Sequence, residues 1–216
     1  YFYKSGGPYD GHRIASVDPD DAQWCFIGPE RVIGCVVYPS CEVTQPGVIT
    51  HIAGERFTLG EPSGERTERI TLLADAMKAA QLKAPVKTDI RNEIWIKLWG
   101  NLSFNPISVL TGATLDRICQ NDGTRAVVRE MMFEAQEIGD RLGVKFPIDI
   151  DRRIAAAEAV GAHKTSMLQD FERRRPMEIE PLLGSVVELG RLVGVGTPTI
   201  DVVLALVRQR ASLVLG

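Results

Sequence analysis

The sequence predicts an α/β segment of short strands and a hairpin followed by an all-α helical bundle, and three observations predict it. Up to about Asp89 the chain is rich in Gly and Pro, and its apolar residues come in short β-branched runs. Beyond Asp89 the apolar residues recur at helical spacing almost to the end. Helix start and stop signals punctuate that second part.

In chain order, residues 33–37 read as a buried strand, 42–52 as a hairpin turning at Pro46-Gly47, and 56–59 as a short strand. Between 65 and 82, Ile70, Leu73, Met77 and Ala80 fall at helical spacing, and 84–87 then supplies a last strand. A helix follows over 90–110. Pro106 inside it lacks a main-chain N–H, so this helix is expected to kink or end near Asn105. A strongly amphipathic helix covers 124–142 and is closed by Gly143. A weaker one spans about 150–160, and a short one follows Ser166, whose hydroxyl and Gln169 three residues on make a capping-box pattern. After Pro176, the residues Leu182, Leu183, Val186, Val187 and Leu189 mark a long buried helix ending near Gly194. Thr197-Pro198 starts the last helix with proline in its first turn. The second part is thus a bundle of about six helices, and the expected division of the chain is 1–88 and 89–216.

Composition narrows the function classes. A net charge of −3, with Lys and Arg interspersed among Asp and Glu, leaves no basic footprint for nucleic acid. The longest apolar stretches, 182–187 and 202–207, fall far short of the roughly 20 residues of a membrane span. With no charged leader ahead of an apolar core, the expectation is a soluble, cytoplasmic protein. Cys25, Cys35, Cys41 and Cys119 match neither a CxxC zinc pattern nor a redox dithiol and are expected as free thiols. His12, His51 and His163 are scattered, so no metal site is expected.

The most informative stretch runs from Ile94 to Pro106. Lys97, Asn101 and Asn105 stand at i, i+4 and i+8 and form one polar stripe on a helix, while Ile94, Trp95, Leu98 and Leu102 pack elsewhere. Solvated helices carry such stripes too. Two asparagines are nevertheless poor helix formers, and the other faces here are apolar, which tilts the reading toward a lined pocket. Ser166 and Glu178, twelve residues apart, each stand at a candidate helix start, where by spacing alone a cap at Ser166 and a helix-dipole role for Glu178 are the favoured readings.

Taken together, these segments resemble the ketopantoate reductase (2-dehydropantoate 2-reductase) family. The resemblance lies in Ile90-Arg91-Asn92-Glu93-Ile94-Trp95-Ile96-Lys97-Leu98 running into Asn101 and Asn105-Pro106, then Thr165-Ser166-Met167-Leu168-Gln169-Asp170, then Glu178-Ile179. It extends from Tyr1 to about Arg210 and covers the C-terminal two-thirds of the family pattern. The resemblance implies that 1–88 is the C-terminal remainder of an NADP-binding Rossmann-type domain. It implies that 89–216 is a helical domain similar to the C-terminal domain of phosphogluconate dehydrogenase. It further implies NADPH as cofactor, ketopantoate as substrate and a possible homodimer. Lys97 would be the general acid, Asn101, Asn105 and Ser166 would hold the substrate, and Glu178 and Ser40 would lie at the cofactor.

These residue types suit the reaction, since hydride delivery to a ketone builds negative charge that a Lys ammonium can stabilise and protonate. The glycine-rich GxGxxG fingerprint occurs nowhere in the 216 residues, so this segment alone is expected to bind NADPH poorly and to turn over little. Two other readings remain: a paralogous reductase of another 2-oxo acid, and a non-catalytic helical dimerisation module.

Overall fold

Hydrophobic periodicity becomes two compact units in the computed structural model, which describes residues 1–215. One unit comprises Tyr1–Arg13 and Asp20–Ile94; the other comprises Ile14–Pro19 and the chain from Trp95 onward.

The first unit contains a short helix α1 (Ala22–Phe26), strands β1 (Gly34–Val37), β2 (Ser40–Gln45), β3 (Val48–Ala53) and β4 (Phe57–Gly60), and helix α2 (Glu68–Ala79). The strands make two separate antiparallel pairs, β1 with β4 and β2 with β3. Pro46-Gly47 turns the second pair as expected, with Gly47 at φ +78°, a conformation that favours glycine. Strand β1 is not buried as expected. Only Val36 on it is buried, between the exposed Cys35 and Val37, whereas the paired β4 buries Thr58, Leu59 and Gly60 in succession. Gly34 and Gly60 stand opposite each other, and a Cβ on either would strike the Ile90 side chain, which fills the space they leave. With Phe2, Leu59 and Ile70, Ile90 makes the buried centre of this unit.

Two boundaries in this unit differ from expectation. Helix α2 is shorter than 65–82, because the Thr67 hydroxyl caps it by accepting from Ile70 N–H and the chain leaves it through Gln81 at φ +63°. Residues 84–87 form no continuous strand. Parallel bridges join Arg56 to Lys83 and Leu59 to Val86, and Pro85 between them has no N–H to donate.

The second unit is helical: α3 (Ile90–Thr111, its first turn lying in the other unit), α4 (Leu115–Gln120), α5 (Asp122–Arg141), α6 (Ile150–Glu158), α7 (Ser166–Glu172), a π-helical turn (Glu180–Gly184) leading into α8 (Ser185–Val193), and α9 (Pro198–Leu215). Sequence periodicity anticipated all of these except the short α4 and the π turn. Helix α3 buries Trp95, Trp99, Leu102, Phe104, Ile107 and Val109. It packs against α5, whose Val128, Met131, Met132, Ala135 and Ile138 are fully buried. The Trp99 indole N–H donates to the Met132 carbonyl at 2.8 Å, and the ring meets Phe146 edge-on at 4.6 Å. Gly139 lets this contact form, since a Cβ there would run into Trp95 and Phe146. No helix among the described residues is long and apolar enough to cross a membrane.

Candidate functional site

Helix geometry alone places Lys97, Asn101 and Asn105 on one face of α3, each about 6 Å further along the axis than the last. Lys97 and Asn101 are half-buried, while Asn105 is only 5% exposed, so the stripe runs from the margin of the unit toward its interior. Among the described residues the Asn105 side-chain amide has no hydrogen-bond partner. The amide atoms are not among the sealed polar atoms without a partner, so they keep access to the surface, where a ligand or water can bond them.

The helix does not end at Asn105. It continues through Pro106 to Thr111. The missing Pro106 N–H removes the donor for the Leu102 carbonyl, but the following turn is reinforced from its side chains. The Ser108 hydroxyl donates to the Asn105 carbonyl at 2.6 Å, and the Thr111 hydroxyl donates to the Ile107 carbonyl at 2.7 Å.

Ser108 also reaches α7. Its oxygen lies 2.6 Å from that of Thr165, a residue 5% exposed. Thr165 is the N-cap of α7, its hydroxyl oxygen accepting from Leu168 N–H at 3.2 Å. This corrects the expected cap at Ser166. Either hydroxyl could have capped by sequence, but Thr165 has the extended backbone a cap requires and Ser166 is already helical. The Ser166 side chain is therefore released from capping and is exposed. Gln169, the other half of the expected capping box, donates instead to the Lys164 carbonyl at 3.0 Å.

Glu178 is exposed and directly precedes the helical backbone of Ile179 and the π turn, its carbonyl accepting from Leu182 N–H at 3.2 Å. The π turn is tied to α9 by Glu180, whose two carboxylate oxygens each accept from Arg208 at 2.6 Å. That pairing holds the Glu180 carboxyl below its ordinary pKa, with burial opposing. Gly184 leaves the space the Glu180 carboxylate occupies. Ser40 is exposed at the start of β2, opposite Ala53, in the first unit.

The structure thus brings Lys97, Asn101 and Asn105 together on one helix and bonds that helix to the residue preceding Ser166. Glu178 belongs to the same unit, and Ser40 does not. Ser108 and Thr165 escaped sequence reading. The only signal for them was a hydroxyl three residues after Asn105 and another adjoining Ser166.

A family model described as the C-terminal part of ketopantoate reductase PanE/ApbA matches residues 89–211. A 2-dehydropantoate 2-reductase of Mesorhizobium japonicum is 64% identical over 211 residues, which are 98% of this chain and 65% of that protein. A solved structure from Ralstonia solanacearum, 43% identical, superposes with a TM-score of 0.92 over 96% of this chain and 64% of its own. The structure of 2-dehydropantoate 2-reductase from Methylococcus capsulatus, 32% identical, does so at 0.80 over 90% of this chain and 64% of its own. The chain spans a little under two thirds of the length of these relatives.

Proposed function

The chain belongs to the ketopantoate reductase family, whose C-terminal model it matches over more than half its length, and from that premise we propose that its protein reduces 2-dehydropantoate to pantoate with NADPH, a step toward pantothenate and coenzyme A. The observation that carries this reading is the α3 face: a half-buried lysine, one turn from an asparagine and two turns from a second asparagine that is 5% exposed and whose amide has no partner among the described residues.

Lys97 is the general acid in this reading. Negative charge develops on the ketone oxygen as the carbonyl is reduced, and the Lys97 ammonium stabilises that charge and delivers its Nζ proton to give the alcohol. Asn101 and Asn105 each offer an N–H₂ donor and a carbonyl acceptor, enough to orient a hydroxyl and a carboxylate without adding charge. Ser166, freed from capping, offers its hydroxyl to the same substrate.

NADPH, when bound, supplies the hydride. Ser40 and Glu178 are exposed and carry a hydroxyl and a carboxylate, donor and acceptor types that suit a ribose or a carboxamide. No glycine-rich phosphate cradle of the GxGxxG type stands among these 216 residues. On this reading 1–88 is the C-terminal remainder of the NADP-binding Rossmann-type domain and 89–216 the helical substrate-binding domain.

The decisive test is oxidation of NADPH by 2-dehydropantoate in the complete protein that carries these residues, comparing wild type with Lys97→Ala. Turnover by wild type, falling by about 10²–10⁴ in a variant whose circular dichroism is unchanged, is the expected result. Wild-type turnover confined to another 2-oxo acid would reassign the substrate. A wild type that oxidises NADPH with no 2-oxo acid would overturn the reading.

A further inference from the structure

We infer that the hydroxyl pair Ser108–Thr165 is a positioning latch that sets where Ser166 stands relative to Asn105; the inference rests on the substrate-binding roles proposed above. The pair joins two helices across 57 residues of sequence, and both members are buried, Ser108 completely.

The direction of its hydrogen bonds follows from what surrounds it. Ser108 lies 2.6 Å from the Asn105 carbonyl, which can only accept, so the single Ser108 proton points there. The Thr165 oxygen already accepts from Leu168 N–H, which leaves its own proton for the Ser108 oxygen. Every hydroxyl proton then has one acceptor. The chain runs Leu168 N–H to Thr165 to Ser108 to the Asn105 main chain.

Two hydrogen bonds of 2.6 Å thus separate the backbone of Asn105 from the side chain adjoining Ser166. Helix α7 also buries Met167 and Leu168 against the unit. Apolar burial of that kind is non-directional and leaves the helix free to settle by rolling or sliding. A hydrogen bond weakens steeply with angle and distance, so the hydroxyl pair selects one register for α7 and, with it, one placement of Ser166. Neither Ser108 nor Thr165 is asked to touch substrate.

The test is made in the complete protein with 2-dehydropantoate and NADPH, using Ser108→Ala, Thr165→Ser, Ser166→Ala, the double variant Ser108→Ala/Ser166→Ala, and Ser103→Ala as control. Ser103 is equally buried on α3 and donates only to the Trp99 carbonyl. Ser108→Ala is expected to raise KM for 2-dehydropantoate by about 3- to 10-fold, with kcat and KM for NADPH within about twofold of wild type. Thr165→Ser keeps the hydroxyl and is expected to behave as wild type. Ser103→Ala is expected to lower thermal stability comparably while leaving KM unchanged. Added to Ser166→Ala, Ser108→Ala should have no further effect on KM, because it acts through Ser166. An active wild type in which Ser108→Ala leaves KM unchanged, or in which the two substitutions are additive, overturns the latch alone. A wild type without activity on any 2-oxo acid overturns the parent reading and the latch with it.

Discussion

The carboxylate of Glu134, on α5, accepts the main-chain N–H of Ile200 at 3.0 Å and, through its other oxygen, that of Thr199 at 2.7 Å. A side chain 65 positions away thereby satisfies two of the orphan donors at the start of α9. Glu134 is 6% exposed, so its removal leaves buried N–H groups without acceptors. Glu134→Ala is expected to destabilise the protein by about 2–3 kcal/mol, lowering the melting midpoint by roughly 4–12 °C. Differential scanning calorimetry reads this directly, and a midpoint within 1–2 °C of wild type would count against the cap.

A second long-range carboxylate holds a loop. Glu188 on α8 accepts from Ala15 N–H at 2.8 Å and from both the N–H and the hydroxyl of Ser16, at 2.9 and 2.7 Å. These bonds pin Ile14–Pro19 into the helical unit although the sequence on either side of it belongs to the other. In Glu188→Ala the Ala15 and Ser16 amides should exchange with solvent about 5- to 30-fold faster, with little change in the core amides of α5. Hydrogen exchange followed by mass spectrometry distinguishes this local release from global loosening.

Asn105 should trade stability for function. The residue is 5% exposed and its amide makes no hydrogen bond among the described residues, so Asn105→Leu, close in volume, is expected to leave the melting midpoint unchanged or raise it by a few degrees. The same change should cut kcat/KM for 2-dehydropantoate by about 10²-fold, because a substrate group loses its hydrogen bond in a buried site. A fall in both quantities would mark Asn105 as a structural residue instead.

Acid should loosen the first unit through Glu61. This carboxylate is 3% exposed and accepts from Arg69 at 2.6 and 2.5 Å and from Thr67 at 2.5 Å. The Arg69 hydrogen bonds hold its carboxyl below the usual glutamate value, outweighing the burial that would raise it. A carboxyl depressed in the folded state stabilises that state at pH values above its unfolded pKa, and the stabilisation is lost as pH falls through the folded value. Wild type should therefore lose midpoint temperature on acidification below the ordinary glutamate range more steeply than Glu61→Gln. Parallel slopes for the two proteins would show that the pair does not govern the acid response.

Much of the fold was legible in residue order, because short-range geometry dictates it. An apolar residue every three to four positions commits a segment to a helix with one buried face, and Pro46-Gly47 or Thr197-Pro198 punctuates the chain whatever surrounds it. The Lys97–Asn101–Asn105 stripe was legible for the same reason: on a helix, spacing i, i+4, i+8 is a statement about direction. Where local rules competed, they did not decide. Thr165 and Ser166 are both competent caps, Pro106 either ends a helix or rides inside one, and residues 83–87 pair with β4 around a proline that cannot donate. Tertiary structure resolved each of these. Pro106 stays within α3 where Ser108 and Thr111 reinforce the following turn, and Thr165 caps where Ser108 meets it. The long-range bonds made by Glu134 and Glu188 were not legible at all, since no periodicity links position 134 to 200 or 188 to 16. The sequence by itself determined which faces of which helices are polar. Only packing of the whole chain decided which of those polar groups meet, because hydrogen bonds across tens of residues depend on ångström distances that no local pattern encodes.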